Sequence, residues 1–419
     1  MRRLRDAAYL AAVAATAPVW AWRMQRTGKL RTDWGARFGR GADLPRPTAP
    51  RLLVHAVSVG EVNAVRQLVS RLAAPGAGLD VVVAATTDTG VARATEVYGA
   101  RHAVVRYPFD ASWMVRRFLD RVRPDAVALG ELEVWPNFVQ ECDARGIPVT
   151  VVNGRLSARS FRRYLRVRAL LAPTFRRLSA VFAQNGEYAE RFVALGTPAG
   201  RVFVTGTMKW DTAQVADEVP GAAELAAEIG IDRSRPLVVA GSTAPEEHAL
   251  LRDAVPAGTQ LLCAPRKPEW FDAAARDLPG CARRSAGTRG SASGRFLLDT
   301  IGELRKAYAL ADAIVIGRSF GDLHGSDPME PAALGKAVVC GPRMGDFRES
   351  LEALRDAGAI EQVPREGLAP VLSALVADPA RRAELGRRAR ATVLANQGAT
   401  ERTAEALLGV MAAKGARHA

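Results

Sequence analysis

The sequence predicts an α/β protein with two domains built on parallel sheets, and two patterns support this. Apolar runs rich in Val, Ile and Leu alternate with amphipathic stretches, as in βαβ units. The alternation weakens over residues 213–233 and then restarts, and 419 residues suit two domains better than one core. We therefore predict Rossmann-like domains at 31–212 and 235–390, joined by a linker at 213–234 and followed by closing helices at 391–419.

The elements can be assigned in chain order. Each predicted strand is a short apolar run bounded by polar or turn residues. In the first domain these runs are 52–57, 79–84, 102–105, 126–129, 149–152, 180–183 and 202–205. In the second domain they are 236–240, 260–263, 295–298, 313–316 and 337–340. Amphipathic stretches such as 61–72, 112–119 and 160–171 are the predicted helices between strands.

The N-terminal segment differs from the rest of the chain. Residues 7–22 carry no charged side chain, and arginines flank them on both sides. As a helix they would reach roughly 24 Å, short of a hydrocarbon core of about 30 Å. Trp20 and Trp22 suit the membrane interface, and the more basic flank follows the segment. We predict a membrane anchor within 1–30 with the domains on the cytoplasmic side. A cleaved signal peptide is the alternative.

The charge balance indicates an anionic partner. The net charge is +14, which fits nucleic acid, an acidic membrane surface or a phosphorylated substrate. Only 6% of residues are aromatic and none interleave with a basic stripe, so nucleic acid is disfavoured. The four cysteines form no CxxC pair and the five histidines show no metal-ligand spacing. We therefore predict reduced thiols and no bound metal.

Acidic residues follow two of the predicted strands. Glu131 and Glu133 come just after the run 126–129, and Glu61 follows the run 52–57. In open α/β sheets, ligands bind beyond the carboxyl ends of the strands, so these acids should border a cleft. The ordinary alternative is that Glu131 and Glu133 are one ion-paired and one solvated side chain. The equivalent position of Glu61 argues against that alternative.

Ten segments, in order, resemble one enzyme family over residues 30 to 410. They are WGARFG (34–39), HAVSVGE (55–61), YPFD (107–110), ELEVWPN (131–137), VNGRLSARSF (152–161), GTMKWD (206–211), GST (241–243), APRKPE (264–269), DTIGEL (299–304) and DPMEPAALGK (327–336). The family is that of the bacterial 3-deoxy-D-manno-octulosonic acid (Kdo) transferases. The resemblance implies a GT-B glycosyltransferase, in which two Rossmann-like domains face a cleft. It also implies inverting transfer of Kdo from CMP-Kdo to a lipid A precursor at the inner membrane, without a metal or cofactor.

The resemblance assigns the reacting groups. It makes Glu61 the proton acceptor, and it makes Glu131 and Lys209 stabilisers of the transition state. Metal-free glycosyl transfer needs such a base, and it needs positive charge for the departing phosphate. The ordinary alternative for Glu61 is a first-turn acid that the helix dipole stabilises by ~0.3–1 kcal/mol. For Lys209 it is a solvated surface side chain. Glu133 and Trp135 also have a structural interpretation, in which Trp135 packs under the site.

The second domain should bind the donor. Ser242 and Thr243 follow a strand and can offer backbone N–H groups to phosphate, while Arg266 can pair with phosphate or carboxylate. The resemblance adds a nucleotide-contacting turn and a helix start whose Glu330 binds ribose hydroxyls. An ordinary helix N-terminus is the alternative at both places. The remaining predicted donor residues are Pro265, Lys267, Ile301, Gly302, Glu303, Asp327, Pro328 and Met329.

An arginine-rich stretch is the candidate contact for the acceptor. Residues 155–168 carry six arginines and no acid. A solvated helix face is the ordinary interpretation, but a phosphorylated lipid at an anionic membrane explains the excess better. The predicted acceptor-binding residues are Ser58, Gly60, Arg155, Arg159, Arg162 and Arg163.

The chain departs from the family pattern mainly on the donor side. A Gly-Gly-Ser turn has become 317–319, Gly-Gly-His-Asn has become 324–327, and Lys267 replaces a histidine. An acid at Asp327 would repel the donor's charges unless Arg318 or Lys267 compensates for it. These changes leave two alternatives open: a GT-B transferase for another CMP-ulosonic acid or a UDP-sugar, and an inactive binding protein at the membrane surface.

Overall fold

The computed structural model describes residues 32–418, with side chains to residue 413, and isolated positions between residues 6 and 26. It divides into two compact units: unit 1 comprises Met1–Thr212 with Gln397–Ala419, and unit 2 comprises Ala213–Asn396. Most of the predicted anchor, 1–30, lies outside the described residues. Within the described part of the chain, no helix is long and apolar enough to cross a membrane.

Unit 1 contains a seven-stranded parallel sheet. Its strands are β1 Arg51–His55, β2 Asp80–Ala85, β3 Ala103–Arg106, β4 Ala126–Gly130, β5 Val149–Gly154, β6 Ala180–Ala183 and β7 Val202–Val204. Their order is β3-β2-β1-β4-β5-β6-β7, and every neighbouring pair is parallel. The order reverses direction between β1 and β4. In a doubly wound sheet that is where the loops diverge and a ligand crevice opens.

Helices cover both faces of this sheet. They are α1 Trp34–Arg37, α2 Val59–Ala64, α3 Arg66–Leu72, α4 Asp88–Tyr98, α5 Ser112–Val122, α6 Pro136–Asp143, α7 Ala158–Arg166, α8 Arg168–Phe175 and α9 Gly186–Leu195. Alternate strand residues face opposite layers: Leu53 and Val82 pack in one apolar cluster, and Leu52 and Val83 in the other. Burial on both faces explains why these strands read as continuous apolar runs in the sequence.

Unit 2 repeats the architecture. Its strands are β8 Leu237–Thr243, β9 Gln260–Pro265, β10 Ala282–Arg283, β11 Arg295–Leu297, β12 Ala313–Ile316, β13 Ala337–Cys340 and β14 Glu361–Gln362. They form a parallel sheet in the order β10-β11-β9-β8-β12-β13-β14. The helices are α10 Ala222–Ile229, α11 Pro245–Ala254, α12 Phe271–Asp277, α13 Leu304–Leu310, α14 Met329–Ala333, α15 Arg348–Asp356, α16 Leu368–Ala377 and α17 Pro379–Asn396.

The last helix, α18 Ala399–His418, belongs to unit 1. Ala399, Ala404 and Leu407 are buried in the apolar cluster that α3 also joins. The carboxylate of Asp211 accepts hydrogen bonds from the backbone N–H groups of Gly398 at 2.7 Å and Thr400 at 2.6 Å, which caps the first turn of α18. Asp211, the last residue of the GTMKWD segment, therefore has a structural role.

The predicted strands are confirmed: three match at both ends, and the ends of the others shift by at most three residues. Two strands were missed, β10 and β14, because two-residue edge strands leave no periodic signal. The two units separate at the predicted start of the linker, and residues 213–234 contain α10, whose Leu225, Ala226 and Ile229 are buried in unit 2. The segment is rich in alanine, which forms helices well but gives a weak apolar pattern.

Candidate active site

The carboxylate of Glu61 is held at the carboxyl end of β1, in the first turn of α2. Its Oε2 accepts a hydrogen bond from the backbone N–H of Val57 at 3.0 Å, and its Oε1 accepts one from the Ser58 hydroxyl at 3.1 Å. Both donors come from the loop between β1 and α2. The local chain therefore orients the carboxylate before any ligand binds, while each oxygen retains a second lone pair.

Gly130, at the end of β4, makes this position of Glu61 possible. A Cβ atom at residue 130 would lie 2.9 Å from the carbonyl oxygen of His55 and 3.4 Å from Oε2 of Glu61. A larger residue would push β4 away from β1 or displace the carboxylate. The glycine therefore allows the two strand ends to meet next to the carboxylate of Glu61.

Glu131 follows directly and has an uncommon backbone conformation. Its φ is +49°, in the left-handed region that disfavours a residue with a Cβ atom by about 1–2 kcal/mol. Its backbone N–H donates to the carbonyl oxygen of Val152 at 3.0 Å, which continues the ladder between β4 and β5. Such strained residues cluster at functional sites, where the surrounding structure holds them.

Glu133 completes a group of three carboxylates in unit 1. Burial raises the pKa of Glu133, and the negative charges of Glu61 and Glu131 act in the same direction, while a hydrogen bond from Trp135 opposes them. That bond runs from Nε1 of Trp135 to Oε2 of Glu133 and is 2.7 Å long. Trp135 is 41% exposed, so the residue is not fully packed under the site.

The loop that carries these acids is fixed where α6 begins. The carboxylate of Asp110 accepts hydrogen bonds from the backbone N–H groups of Asn137 at 3.0 Å and Phe138 at 2.8 Å. The side-chain amide of Asn137 donates back to the carbonyl oxygen of Asp110 at 2.6 Å. The last residues of the YPFD and ELEVWPN segments therefore bind each other, and their role is to brace the loop.

Lys209 lies in the segment that follows β7. Its side chain is half-buried, and within the described residues its ammonium forms no ion pair. The backbone on either side is tied down: the N–H of Met208 donates to Oδ1 of Asn153 at 3.2 Å, and Trp210 is buried. Ser58, just before α2, and Glu61, in its first turn, are half-buried, and Gly60 of the same turn is exposed.

Unit 2 brings two arginines together at the carboxyl ends of its central strands. Arg266 follows β9 and is exposed, and Arg318 follows β12. Burial lowers the pKa of Arg318, and the positive charge of Arg266 lowers it further. Among the described residues neither guanidinium has a carboxylate within salt-bridge distance. Nε of Arg318 instead donates to the hydroxyl of Ser326 at 3.0 Å. The negative charges of Asp346 and Glu247 oppose these shifts in the pKa of Arg318. Two such cations can attract an anion.

The neighbouring donor-side residues have separate roles. Ser242 is half-buried with φ of +56°, and its carbonyl oxygen accepts from the Ser326 hydroxyl at 3.5 Å. Thr243 is fully buried and its hydroxyl lies 3.0 Å from Nε2 of His248, so its side chain is not available to a ligand. Lys267, which is exposed, lies 4.9 Å from the ring of Trp270.

The remaining predicted donor residues lie in two places. Ile301 is 72% exposed and Gly302 is exposed, whereas Glu303 forms salt bridges with Arg284 at 3.2 Å and Lys306 at 3.5 Å. Those ion pairs give Glu303 a structural function. At the start of α14, Oδ1 of Asp327 accepts from the backbone N–H of Met329 at 2.8 Å, and Glu330 lies half-buried, 3.9 Å from Arg305. Three predicted residues are buried: Pro265, Pro328 and Met329.

The arginine-rich stretch forms α7, a helix with no buried residue. Arg159, Arg162 and Arg163 are exposed on it, and Arg155 is half-buried just before it. Apolar side chains are also exposed here: Leu165 by 41%, Val167 by 45% and Leu170 by 74%. Cationic and apolar groups thus share one exposed surface. The arginines were predicted from the sequence, but the apolar residues were missed because they interrupt the basic run singly.

The described residues contain no group of three or more His, Cys, Asp or Glu side chains that could hold a metal ion. Cys142, Cys263 and Cys340 are buried free thiols, and Cys281 is a half-buried one. Burial raises the pKa of Cys340 to about 12.

Two doubly wound units, one with an oriented carboxylate and one with two nearby guanidinium groups, give the chain a GT-B-like fold. The fold is similar to that of MurG from Acinetobacter baumannii, with a TM-score of 0.54 and 17% identity over 85% of this chain and 98% of MurG. A family model described as 3-deoxy-D-manno-octulosonic-acid transferase matches residues 32–212.

Two named relatives extend this match over the whole chain. The 3-deoxy-D-manno-octulosonic acid transferase of Bordetella pertussis is 35% identical over 95% of this chain and 98% of the relative. The transferase of the same name from Haemophilus influenzae is 28% identical over 91% and 92% of the two chains. The protein belongs to the 3-deoxy-D-manno-octulosonic acid transferase family.

Proposed function

We propose that this enzyme transfers Kdo from CMP-Kdo to a phosphorylated lipid A precursor, with inversion and without a bound metal. The observation that carries the proposal is the carboxylate of Glu61, which Val57 and Ser58 orient at the end of β1. As the acceptor hydroxyl oxygen attacks the anomeric carbon, Glu61 takes its proton. The bond from that carbon to the phosphate oxygen breaks, and CMP leaves with the electron pair.

The donor belongs to unit 2 in this proposal. CMP-Kdo carries a phosphate and a carboxylate, and Arg266 and Arg318 supply two cations that have no ion-pair partner among the described residues. Negative charge grows on the phosphate as CMP leaves, so these cations stabilise the transition state more than the ground state. Lys209 adds positive charge from unit 1, and Glu131 favours the positive charge that develops on the sugar ring.

Glu330 gives the donor site a testable pH dependence. Burial raises the pKa of Glu330, Arg305 opposes that shift, and the charge of Asp327 adds to it. If the ionised carboxylate accepts hydrogen bonds from the ribose hydroxyls, CMP binds fully above the raised pKa and more weakly as the pH falls through it. We expect Glu330→Gln to remove this dependence and Glu352→Gln, a change of an exposed acid, to keep it.

Calorimetric titration of CMP across the acidic range measures this effect. The phosphate of CMP itself titrates at pH ~6. Its contribution is the same for every variant, so it cancels in the ratio of the wild-type and variant affinities for CMP. Parallel pH profiles for wild type and Glu330→Gln would contradict the assignment of Glu330.

The acceptor and the membrane are assigned to α7. The exposed Arg159, Arg162 and Arg163 suit lipid phosphates, and the exposed apolar side chains beside them suit the headgroup boundary. The predicted anchor within 1–30 would act together with this surface. We therefore propose attachment to the cytoplasmic side of the inner membrane.

Vesicle binding tests this surface. Changing the three arginines to glutamine should weaken binding to vesicles rich in phosphatidylglycerol by about 100-fold, because each cation near an anionic surface contributes roughly 1 kcal/mol. The control variant changes Arg276, Arg289 and Arg348, three exposed arginines of unit 2, and alters the net charge equally. Equal loss in both variants would mean that net charge alone drives binding.

The transfer assay tests the proposed function directly. Wild-type protein is incubated with CMP-Kdo and tetraacyl lipid A precursor in detergent with EDTA, and we expect the Kdo-bearing glycolipid as product. Inhibition by CMP but not by UDP supports the CMP-linked donor. A folded protein that makes no product would overturn the proposal. Product from a different CMP-ulosonic acid would change the assigned donor sugar. The altered residues 317–327 would then be the candidates for recognising it.

A further inference from the structure

Trp135 is exposed and, among the described residues, its indole has no aromatic or cationic partner. It lies five residues after the end of β4, and within the described part of the chain its ring makes no aromatic or cation–π contact. Trp113, which is exposed to a similar extent, packs on Phe38 and under Arg117. Trp135 therefore presents a large apolar face to solvent, and this face lies next to the group of carboxylates.

The ring is nevertheless held in one orientation. Its Nε1–H donates to Oε2 of Glu133 at 2.7 Å, and the backbone N–H of Trp135 donates to the carbonyl oxygen of Glu133 at 3.1 Å. The next residues of the chain are braced by Asp110 at the start of α6. A surface indole without a function would not need two such restraints. A fixed ring also loses little conformational entropy when a ligand packs on it.

Glu133 links the indole to the rest of the unit 1 site. Its carboxyl group is close enough to Glu61 and Glu131 for their charges to act on it, and its own charge raises the pKa of Tyr164, after burial as the larger cause. Tyr164 lies on α7, the helix with the exposed arginines. Glu133 therefore contacts the indole directly and interacts electrostatically with Glu61 and with Tyr164 of α7.

We propose that Trp135 is the platform on which a pyranose ring of the acceptor packs, and that Glu133 holds the indole in place for it. The C–H face of a pyranose is apolar and fits an electron-rich indole, while its hydroxyl groups point outward to the carboxylates. With the lipid phosphate on α7, the sugar on Trp135 and the attacking hydroxyl at Glu61, each part of the acceptor has a partner. This inference rests on the proposed function, since it takes a phosphorylated glycolipid as the acceptor.

The test separates binding of the acceptor from turnover. Equilibrium binding of tetraacyl lipid A precursor in detergent micelles is measured without donor, for wild type, Trp135→Ala, Trp135→Phe and Glu133→Ala. We expect Trp135→Ala to weaken binding about tenfold or more, as removal of a central aromatic anchor does. Trp135→Phe should recover most of that loss, because it retains a ring. Glu133→Ala should give an intermediate loss, because it frees the indole.

Two controls isolate the contact between the indole and the sugar. Phosphatidylglycerol is anionic but has no sugar, so its binding should be unaffected by Trp135→Ala. Phe203→Ala removes another exposed aromatic of unit 1, and it should leave glycolipid binding unchanged. In turnover, Trp135→Ala should raise the KM for the acceptor and leave the KM for CMP-Kdo as it is.

The platform proposal would be overturned if Trp135→Ala bound the glycolipid with wild-type affinity. It would also be overturned if this variant lost as much affinity for phosphatidylglycerol as for the glycolipid. If wild type binds the glycolipid but makes no product, the proposed function fails and the binding comparison still decides the role of Trp135.

Discussion

Replacing Glu61 with glutamine should lower kcat by about 100- to 10,000-fold, the usual contribution of a positioned general base. The amide is nearly the same size, and its oxygen can still accept a hydrogen bond from the backbone N–H of Val57 or the hydroxyl of Ser58. The amide cannot take the proton of the acceptor hydroxyl. Because the proposed donor residues belong to unit 2, we expect the affinity for CMP to stay at its wild-type value.

The matched control for this change is Glu187→Gln. Glu187 is also a first-turn acid of a unit 1 helix, α9, where it pairs with Arg191. Both variants remove one first-turn carboxylate, so a loss confined to Glu61→Gln assigns the effect to proton transfer. The measurement is initial rate at saturating donor and acceptor. Equal rates for the two variants would remove Glu61 from the mechanism.

Replacing Glu247 should have the largest effect on stability. Its side chain is fully buried at the start of α11, and its carboxylate accepts hydrogen bonds from four backbone N–H groups. The donors and distances are Ala244 at 3.0 Å, Arg318 at 2.7 Å, Ser319 at 2.9 Å and Phe320 at 3.0 Å. Alanine at this position would leave these donors buried without acceptors. We expect the free energy of unfolding of unit 2 to fall by about 3–5 kcal/mol.

The same carboxylate also shapes the donor site. Arg318 has φ of +59°, a conformation that the hydrogen bond from its N–H to Glu247 helps to hold. Glu247→Gln keeps the size but sets an NH2 group against N–H donors, so it should loosen the loop and weaken CMP binding. Urea unfolding and CMP calorimetry on the full chain measure the two effects. Glu246→Gln changes the exposed neighbour and should alter neither the unfolding free energy nor the CMP affinity. If it caused the same losses, the charge at the start of the helix would be their cause.

Glu247 also illustrates what the sequence could not reveal. In Pro245-Glu246-Glu247 either acid could be the solvated one, and the choice depends on a loop more than 70 residues away in the chain. The strands, by contrast, were predictable because burial on both faces produces uninterrupted apolar runs. Glu61 could be found because its position follows from a strand end and a helix start, which are both local features.

The other differences between the expectations from sequence and the structure have the same physical origin. The YPFD and ELEVWPN segments stand out in the sequence, but Asp110 and Asn137 pair with each other, a contact between distant segments. The hydroxyl of Thr243 pairs with His248, a contact that the predicted role of its backbone N–H neither requires nor reveals. The exposure of Trp135 depends on how its loop leaves β4, where Glu131 takes a positive φ that no propensity predicts. Side chains whose roles depend on tertiary contacts were the ones misjudged.

The return of α18 to unit 1 has a consequence for synthesis on the ribosome. Ala399, Ala404 and Leu407 complete an apolar layer whose other members, such as Leu68 and Leu72, are made more than 300 residues earlier. Until the last helix emerges, the nascent unit 1 exposes this layer to water, while all of unit 2 has already been translated. The second half of the polypeptide can therefore fold first. The amino-terminal half completes its apolar layer only when α18 has been made, and until then it needs protection from aggregation.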